Sequence, residues 1–277
     1  MRISIVTPVL NGERFIGEAV ASLQAQSYQD FEHITVDGGS TDGTTDIITA
    51  VACEDERFRL VTKSGCSQYQ AIDIGFSQAS GDIIAWLNAD DMYTPWAFTA
   101  VARRFAQNAE ISWLSGLPSC WDESGELVFV QPRSWWPQRL IRAGWFHEKL
   151  LGYIQQESLF FRRALYLGLS QAERETFTQA RLAGDFMLWR FFAKRSPLEA
   201  LPTVLGGFRR HDANRSTAVS NAYWREVLEN DPFQLPQAIA GRLRGLYVKI
   251  AASKAAHLSI KYDAEFTENF ARRSTQS

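Results

Sequence analysis

Residues 3–44 read ISIVTPVLNGERFIGEAVASLQAQSYQDFEHITVDGGSTDGT, and their rhythm decides the fold. Ile3–Thr7 is a short apolar, β-branched run, the pattern of a buried strand. Phe15, Ile16, Ala19, Val20 and Leu23 follow at helical spacing, with Asn11 nearby as a candidate cap. Glu32–Asp37 reads as a second strand, and Ser40-Thr41-Asp42 starts a helix running through Ile47 and Ile48. The alternation continues outward: strand Phe58–Thr62, helix Gln68–Ala79, strand Asp82–Leu87, helix Pro95–Gln107. Such alternation predicts an α/β fold with a parallel sheet covered on both faces. Ligands of such sheets bind beyond the carboxyl ends of the strands. The polar residues to watch are therefore Thr7–Asn11, Asp37–Asp42 and Asn88–Asp91.

From Gly116 the rhythm loosens. Ser119–Gly125 reads as a turn, Leu127–Val130 as a strand, Trp135–Lys149 as an irregular or helical aromatic stretch and Ser158–Phe161 as a strand. Gly184–Arg195 is a helix apolar almost all round, hence buried, and Leu201–Phe208 a further strand. No repeat, low-complexity tract or free linker divides the chain. Its 277 residues lie between one and two typical domains. Lys and Arg (29) nearly balance Asp and Glu (31), which argues against a nucleic-acid binder. Cys53, Cys66 and Cys120 form no CxxC pair, so neither a disulfide scaffold nor a structural zinc is indicated, and a reducing compartment fits. No leader and no membrane span is expected. From Gly241 to Ser277, Lys and Arg exceed the acids by four, and Leu243, Leu246, Tyr247, Ile250 and Ala251 recur at helical spacing. That helix either lies on an anionic membrane or docks on the domain through its apolar side.

The strand-end chemistry is acidic. Neither GxGxxG nor GxxxxGK[ST] is present, so a dinucleotide fold and a P-loop are not supported. Asp90 and Asp91 follow the apolar strand Ile83–Leu87. Two carboxylates there either hold Mg²⁺ or Mn²⁺ bridging to phosphate, or form a polar turn that caps the helix near Pro95. Asp37-Gly38-Gly39-Ser40-Thr41-Asp42-Gly43 is either an acceptor of base or ribose hydrogen bonds, or a glycine-rich turn with Asp42 as a cap.

Residues 3–44 and ASGDIIAWLNADDMY, then GYIQQESLFFRR, AGDFMLWRFF and GGFRRHDANRS, resemble family 2 glycosyltransferases of the GT-A fold, in the family's order, over roughly residues 2–217. The resemblance implies one Rossmann-like GT-A domain with a mixed, mostly parallel sheet. It would cover residues 1–217, with a nucleotide-sugar half at 1–115, an acceptor half at 116–217 and a C-terminal helical extension at 218–277. It implies inverting transfer of a sugar from a nucleotide-diphosphate donor, UDP being the commonest, to a carbohydrate or lipid-linked acceptor. The setting it implies is surface-glycan assembly, in the cytoplasm or peripherally on the inner face of the membrane. Carried over residue by residue, Thr7, Pro8, Val9, Asn11, Asp37, Gln68 and Asn88 fall on the nucleotide site, and Asp90 nearer the ribose or sugar. Asp91 matches the metal carboxylate for Mg²⁺ or Mn²⁺, His211 a group near metal or diphosphate, and Arg209, Arg210 and Arg215 supply diphosphate charge. Asp185 matches the catalytic base, and Gln155, Gln156 and Glu157 precede a strand lining the acceptor side. Three positions depart from the family pattern: Gly38 replaces a second acid, the Ser64–Gln70 loop lacks its acids, and Gly184 stands where many relatives have Glu.

Five of the nine tryptophans fall between Trp113 and Trp145. Trp86 and Trp189 read as core. Trp121, Trp135, Trp136 and Trp145 lie in the segment that the resemblance assigns to the acceptor, where they either stack on sugar rings or form a local aromatic core. Two other readings of the chain are a nucleotidyltransferase, disfavoured by Pro8-Val9-Leu10-Asn11-Gly12 where a basic glycine-rich loop is needed, and a carbohydrate-binding relative without turnover.

Overall fold

The first strand, β1 (Ile3–Val9), is buried along its whole length. In the computed structural model, which describes residues 1–132, 135–147, 150–212, 214, 220–230, 243, 245–247, 249, 250 and 253, it lies inside the main sheet with a strand paired to each edge. Helix α1 (Glu13–Gln24) buries Phe15, Ile16, Ala19, Val20 and Leu23 and returns the chain to β2 (Phe31–Asp37), parallel to β1. Helix α2 (Thr44–Glu54) then leads to β3 (Phe58–Thr62) on the outer side of β2. After α3 (Gln68–Gln78) the direction reverses, and β4 (Ile83–Trp86) pairs with the other edge of β1. The crevice between the carboxyl ends of β1 and β4 is thus a topological switch point, where open α/β sheets bind ligands.

Beyond it come β5 (Met92–Tyr93), α4 (Ala97–Gln107), β6 (Trp113–Ser115), β7 (Ser119–Trp121), β8 (Leu127–Val130) and α5 (Gln138–Arg142). Next are β9 (Leu159–Arg162), α6 (Arg163–Leu167), α7 (Gln171–Gln179), α8 (Gly184–Ala193), β10 (Glu199–Ala200), β11 (Gly206–Arg209) and α9 (Ser220–Asn230). The main sheet runs β10-β6-β9-β4-β1-β2-β3, parallel except for β9, which is antiparallel to β4 and β6. An antiparallel strand begins where its parallel neighbours end. The 3-10 turn Gln156–Ser158 that opens β9 is therefore carried to the carboxyl end of β4. A second, smaller sheet runs β5-β11-β7-β8. Two apolar cores cover the two faces of the main sheet, one containing Ile16, Val20, Phe98 and Phe105, the other Ile72, Phe76, Trp189 and Phe192. Trp189 stacks on Trp86 at 5.3 Å and on Trp113 at 6.0 Å, so the core reading of Trp86 and Trp189 holds.

The expected mixed, mostly parallel sheet is what forms. Several boundaries differ. Helix α2 begins at Thr44 rather than Ser40, because Ser40 is drawn onto Asp37 and Asp42 accepts from the Thr44 N–H. Asn11 caps no helix. Of the stretch Leu201–Phe208 only the end is strand, and Ser119–Trp121, expected as turn, pairs with β11. Tyr247 is buried and stacks on Trp135 at 5.8 Å, while Leu246 stays exposed. Ala251, Arg215 and residues 254–277 lie outside the described residues, and with them most of the C-terminal extension. Among the described residues no helix is long and apolar enough to cross a membrane.

Candidate functional site

The β1 and β2 ends are locked to each other before any ligand is considered. Asn11 has φ 54°, a left-handed conformation that Asn tolerates better than most residues. There its N–H donates to Ser40 Oγ (2.8 Å) and its Oδ1 accepts from the Thr41 N–H (2.9 Å). Asp37 is 1% exposed, and its carboxylate accepts from the N–H groups of Gly39 (3.0 Å) and Ser40 (3.1 Å) and from the Ser40 hydroxyl. The acceptor capacity expected to meet a base is thus largely taken up by its own turn. Thr7 also differs from expectation. Its hydroxyl lies 2.8 Å from His33 Nε2 inside the sheet, a histidine that burial pushes down to about 3, so only the Thr7 backbone faces the strand end. Pro8 is buried, and Val9 offers its carbonyl to the Gly38 N–H. In the loop lacking the family's acids, Ser67 and Gln70 form a capping box that starts α3, a structural use for both.

At the β4 end the two adjacent aspartates face different ways. Asp91 is fully buried, accepting from the Arg209 backbone N–H (2.8 Å) and from Asn88 Nδ2 (3.0 Å). The same Asn88 nitrogen donates to Gln156 Oε1 (3.0 Å), and Asn88 Oδ1 accepts from Gln68 Nε2 (3.1 Å). Gln156 in turn donates to the Trp86 carbonyl (2.8 Å). This chain of amides ties α3, β4 and the turn before β9 into one floor. Burial, then the charges of Glu157 and Asp90, hold the Asp91 carboxyl well above the usual range. Glu157 is 6% exposed, and burial pushes it up to about 7, with the charges of Asp90 and Asp185 acting in the same direction. Gln155 is drawn away, donating to and accepting from the Ser119 backbone.

Asp90 keeps a partly exposed carboxylate, with His211 Nε2 3.0 Å from its Oδ2. The histidine, expected near metal or diphosphate, stands beside Asp90. Asn214, which the sequence reading passed over, donates to Asp90 Oδ2 (3.4 Å) and to the Arg209 carbonyl (3.1 Å), and its Oδ1 accepts from the His211 N–H (2.7 Å). The signal for it was its place three residues after His211. Arg209, expected at a diphosphate, is instead fully buried: its guanidinium lies over the Phe15 ring (5.0 Å) and pairs with Glu18 on α1 at 2.7 Å. Arg209 ends β11 buried, whereas Arg210, just past the strand, is exposed, with its N–H on the Trp121 carbonyl. The Asp90 carboxylate oxygen is a hard donor of the kind that Mg²⁺ and Mn²⁺ take, and His211 Nε2 beside it is a softer one. Among the described residues no three His, Cys, Asp or Glu side chains converge on one point.

Asp185 lies in the first turn of α8 with its carboxylate partly exposed, and packed surroundings push it up to about 6. Tyr223 of α9 donates to its Oδ1 at 3.2 Å. The preceding turn is held by Tyr69, whose hydroxyl donates to the Leu182 carbonyl (2.6 Å). Gly184 is explained by the same tyrosine: a Cβ there would meet the Tyr69 ring at 2.7–2.8 Å. Gly184→Ala is expected to lower stability by about 1–3 kcal/mol through overpacking. A thermal melt checks this; a rise in Tm, from better helix propensity, would show that the ring yields freely.

Of the two alternatives for the tryptophans, the local aromatic core describes Trp135, Trp136 and Trp145. Trp136 is 4% exposed in the core, 5.3 Å from Phe146, and Trp135 and Trp145 pack against that core. The exposed aromatic near Asp185 is Tyr153, 43% exposed and edge-on to Tyr223 at 5.7 Å.

Residues 4–167, more than half of the chain, match the family described as glycosyl transferase family 2. An uncharacterized glycosyltransferase of Nostoc sp. is 31% identical over 106 residues, covering 38% of this chain and 33% of the relative. The O-antigen biosynthesis protein RfbC of Myxococcus xanthus is 36% identical over 115 residues, 40% of this chain and 9% of that protein. The matches span about a third of the length of the first relatives. Among solved structures, S. aureus TarS residues 1–349 superimposes with a TM-score of 0.58 at 16% identity, covering 90% of this chain and 71% of that one. The same protein in complex with UDP-GlcNAc gives 0.57 at 15% identity, covering 90% and 72%. That likeness carries the fold, which is the expected GT-A arrangement.

Proposed function

The chain belongs to glycosyl transferase family 2, and from that premise we propose that it transfers a sugar from a nucleotide-diphosphate donor to an acceptor hydroxyl, with inversion. The observation that carries this reading is geometric. Neighbouring residues of α3 reach both places, Gln68 donating to Asn88 at the β4 end (3.1 Å) and Tyr69 to the Leu182 carbonyl before Asp185 (2.6 Å), so the strand-end carboxylates and the candidate base share one neighbourhood around the switch point. The nucleoside lies against the Val9–Asn11 and Asp37–Ser40 loops, which their mutual hydrogen bonds hold rigid. Asp90 and His211 would hold Mg²⁺ or Mn²⁺, with Asp91 behind them as the support that fixes the strand end. A bound divalent cation supplies a Lewis acid that neutralises charge developing on the diphosphate. Exposed Arg210, rather than buried Arg209, adds positive charge.

Asp185 removes the proton of the acceptor hydroxyl. The acceptor oxygen bonds to the anomeric carbon from the face opposite the diphosphate, whose bond to that carbon breaks, and the proton remains on Asp185. Single displacement with one base gives inversion and needs no covalent nucleophile. UDP-sugars are the first donors to try, because a TarS structure contains UDP-GlcNAc. The match to an O-antigen biosynthesis protein supports a surface-glycan acceptor.

The test incubates the full chain with a panel of UDP-, GDP- and dTDP-sugars, with Mn²⁺ or with EDTA. Release of nucleoside diphosphate with Mn²⁺ only is expected. Release of pyrophosphate would point to nucleotidyl transfer, and failure of every nucleotide to bind in calorimetry would point to a relative without turnover.

A further inference from the structure

Helix α9 lies beyond the segment that matches the family, yet two of its side chains reach the Asp185 turn. Tyr223 and Glu226 are three residues apart and so share a helix face. Tyr223 donates its hydroxyl to Asp185 Oδ1. Glu226 accepts from the backbone N–H groups of Arg181 and Leu182 (2.8 Å each) and of Ala183 (3.3 Å), the three residues leading into α8. One turn of α9 therefore holds both the carboxylate and the backbone that presents it. The helix is anchored for this by Val227, which is fully buried with Ala183, Phe186 and Met187.

We propose that Tyr223 and Glu226 are positioning residues that orient the Asp185 carboxylate for proton removal. This rests on the reading of Asp185 as the base. The groups facing Asp185 are Tyr69 from α3, Tyr223 and Glu226 from α9, and Glu157 from the turn before β9. Burial holds both phenols well above their usual range, so they stay neutral and act as donors. The two α9 residues then act on Asp185 in opposite senses. The Tyr223 hydrogen bond favours the ionised form, and the Glu226 charge disfavours it.

The test labels the full chain with [¹³Cγ]aspartate and identifies the Asp185 resonance by its loss in Asp185→Asn. Tyr223→Phe removes one oxygen and nothing else, and a thermal melt confirms that it folds. Its Asp185 midpoint is expected to rise by roughly 0.5–1 pH unit, the weight of one hydrogen bond. Glu226→Gln is expected to lower it. With a turned-over donor, the acid limb of kcat moves the same way in each variant while donor KM does not. An unmoved midpoint in Tyr223→Phe, or shifts of the same sign in both variants, overturns the inference. Wild-type turnover by Asp185→Asn would instead overturn the base assignment, and the titration results would stand apart from it.

Discussion

Asp185→Asn is expected to lower donor turnover by about 10³-fold, within the usual contribution of a general base, while leaving UDP affinity unchanged. The expectation comes from location. Asp185 opens α8, whereas the loops that would hold a nucleotide close β1, β2 and β4, and no hydrogen bond joins the two groups in the network described above. The pH dependence follows in the same direction. Burial holds Asp185 at about 6, and a base acts in its ionised form, so kcat rises through that pH and levels off above it.

The same residue makes a second measurement available. A carboxyl whose folded midpoint is raised binds its proton more tightly when folded. Its ionisation therefore weakens the fold as pH rises from about 4 towards 6, and the deficit persists at neutral pH. Asp185→Asn carries no such charge. At pH 7.5 the variant should melt higher, by up to about 2 kcal/mol of stability after allowing for the partial exposure of the side chain. The difference should vanish below about pH 4. A variant that loses turnover and gains stability has lost a group kept in place for chemistry. One that loses both has lost a structural helix-start residue. Calorimetric melts of the two proteins at pH 3.5 and 7.5 distinguish these outcomes.

How much of this was written in the sequence varies along the chain. The parallel half was legible because its strands are short and rich in β-branched residues and α1 buries one clear face of Phe15, Ile16, Ala19, Val20 and Leu23. The second sheet was mostly hidden. β5 has two residues and β7 three, too few for any period to register. The antiparallel β9 looks like any buried strand, and only its pairing reveals that Glu157 arrives beside Asp91. Tyr223 and Glu226 gave no local signal, since a Tyr and a Glu three apart on a helix are ordinary until another element is known to face them. Among the aromatics, composition pointed to Trp136 and passed over Tyr153. The structure buries the first and exposes the second, because a tryptophan that stacks on sugar and one that fills a core are the same residue in sequence.

The neighbouring aspartates show the same limit and supply the last large effect. Asp90→Ala is expected to leave stability within about 0.5 kcal/mol of wild type, as for other partly exposed side chains, yet to abolish the Mn²⁺-dependent part of UDP binding, about 10²-fold in affinity. Asp91→Ala should fail differently. It leaves the buried Arg209 N–H without an acceptor, at about 1–3 kcal/mol, and the Asn88 amide with Gln156 as its one remaining acceptor. Removing a carboxyl crowded by Glu157 offsets part of that loss, so a net destabilisation of about 2 kcal/mol is expected, with weaker UDP binding as a consequence. Asp91→Asn separates the two contributions: its oxygen can still accept from Arg209, but its amide meets the Asn88 amide donor, so it should recover only part of the stability. Titrations of UDP with Mn²⁺ and with EDTA, run beside melts of all three variants, decide between the aspartates. If Asp90→Ala retained Mn²⁺-dependent UDP binding while Asp91→Ala folded normally and lost it, the cation would belong to the buried carboxylate, and the strand end would have to open to admit it.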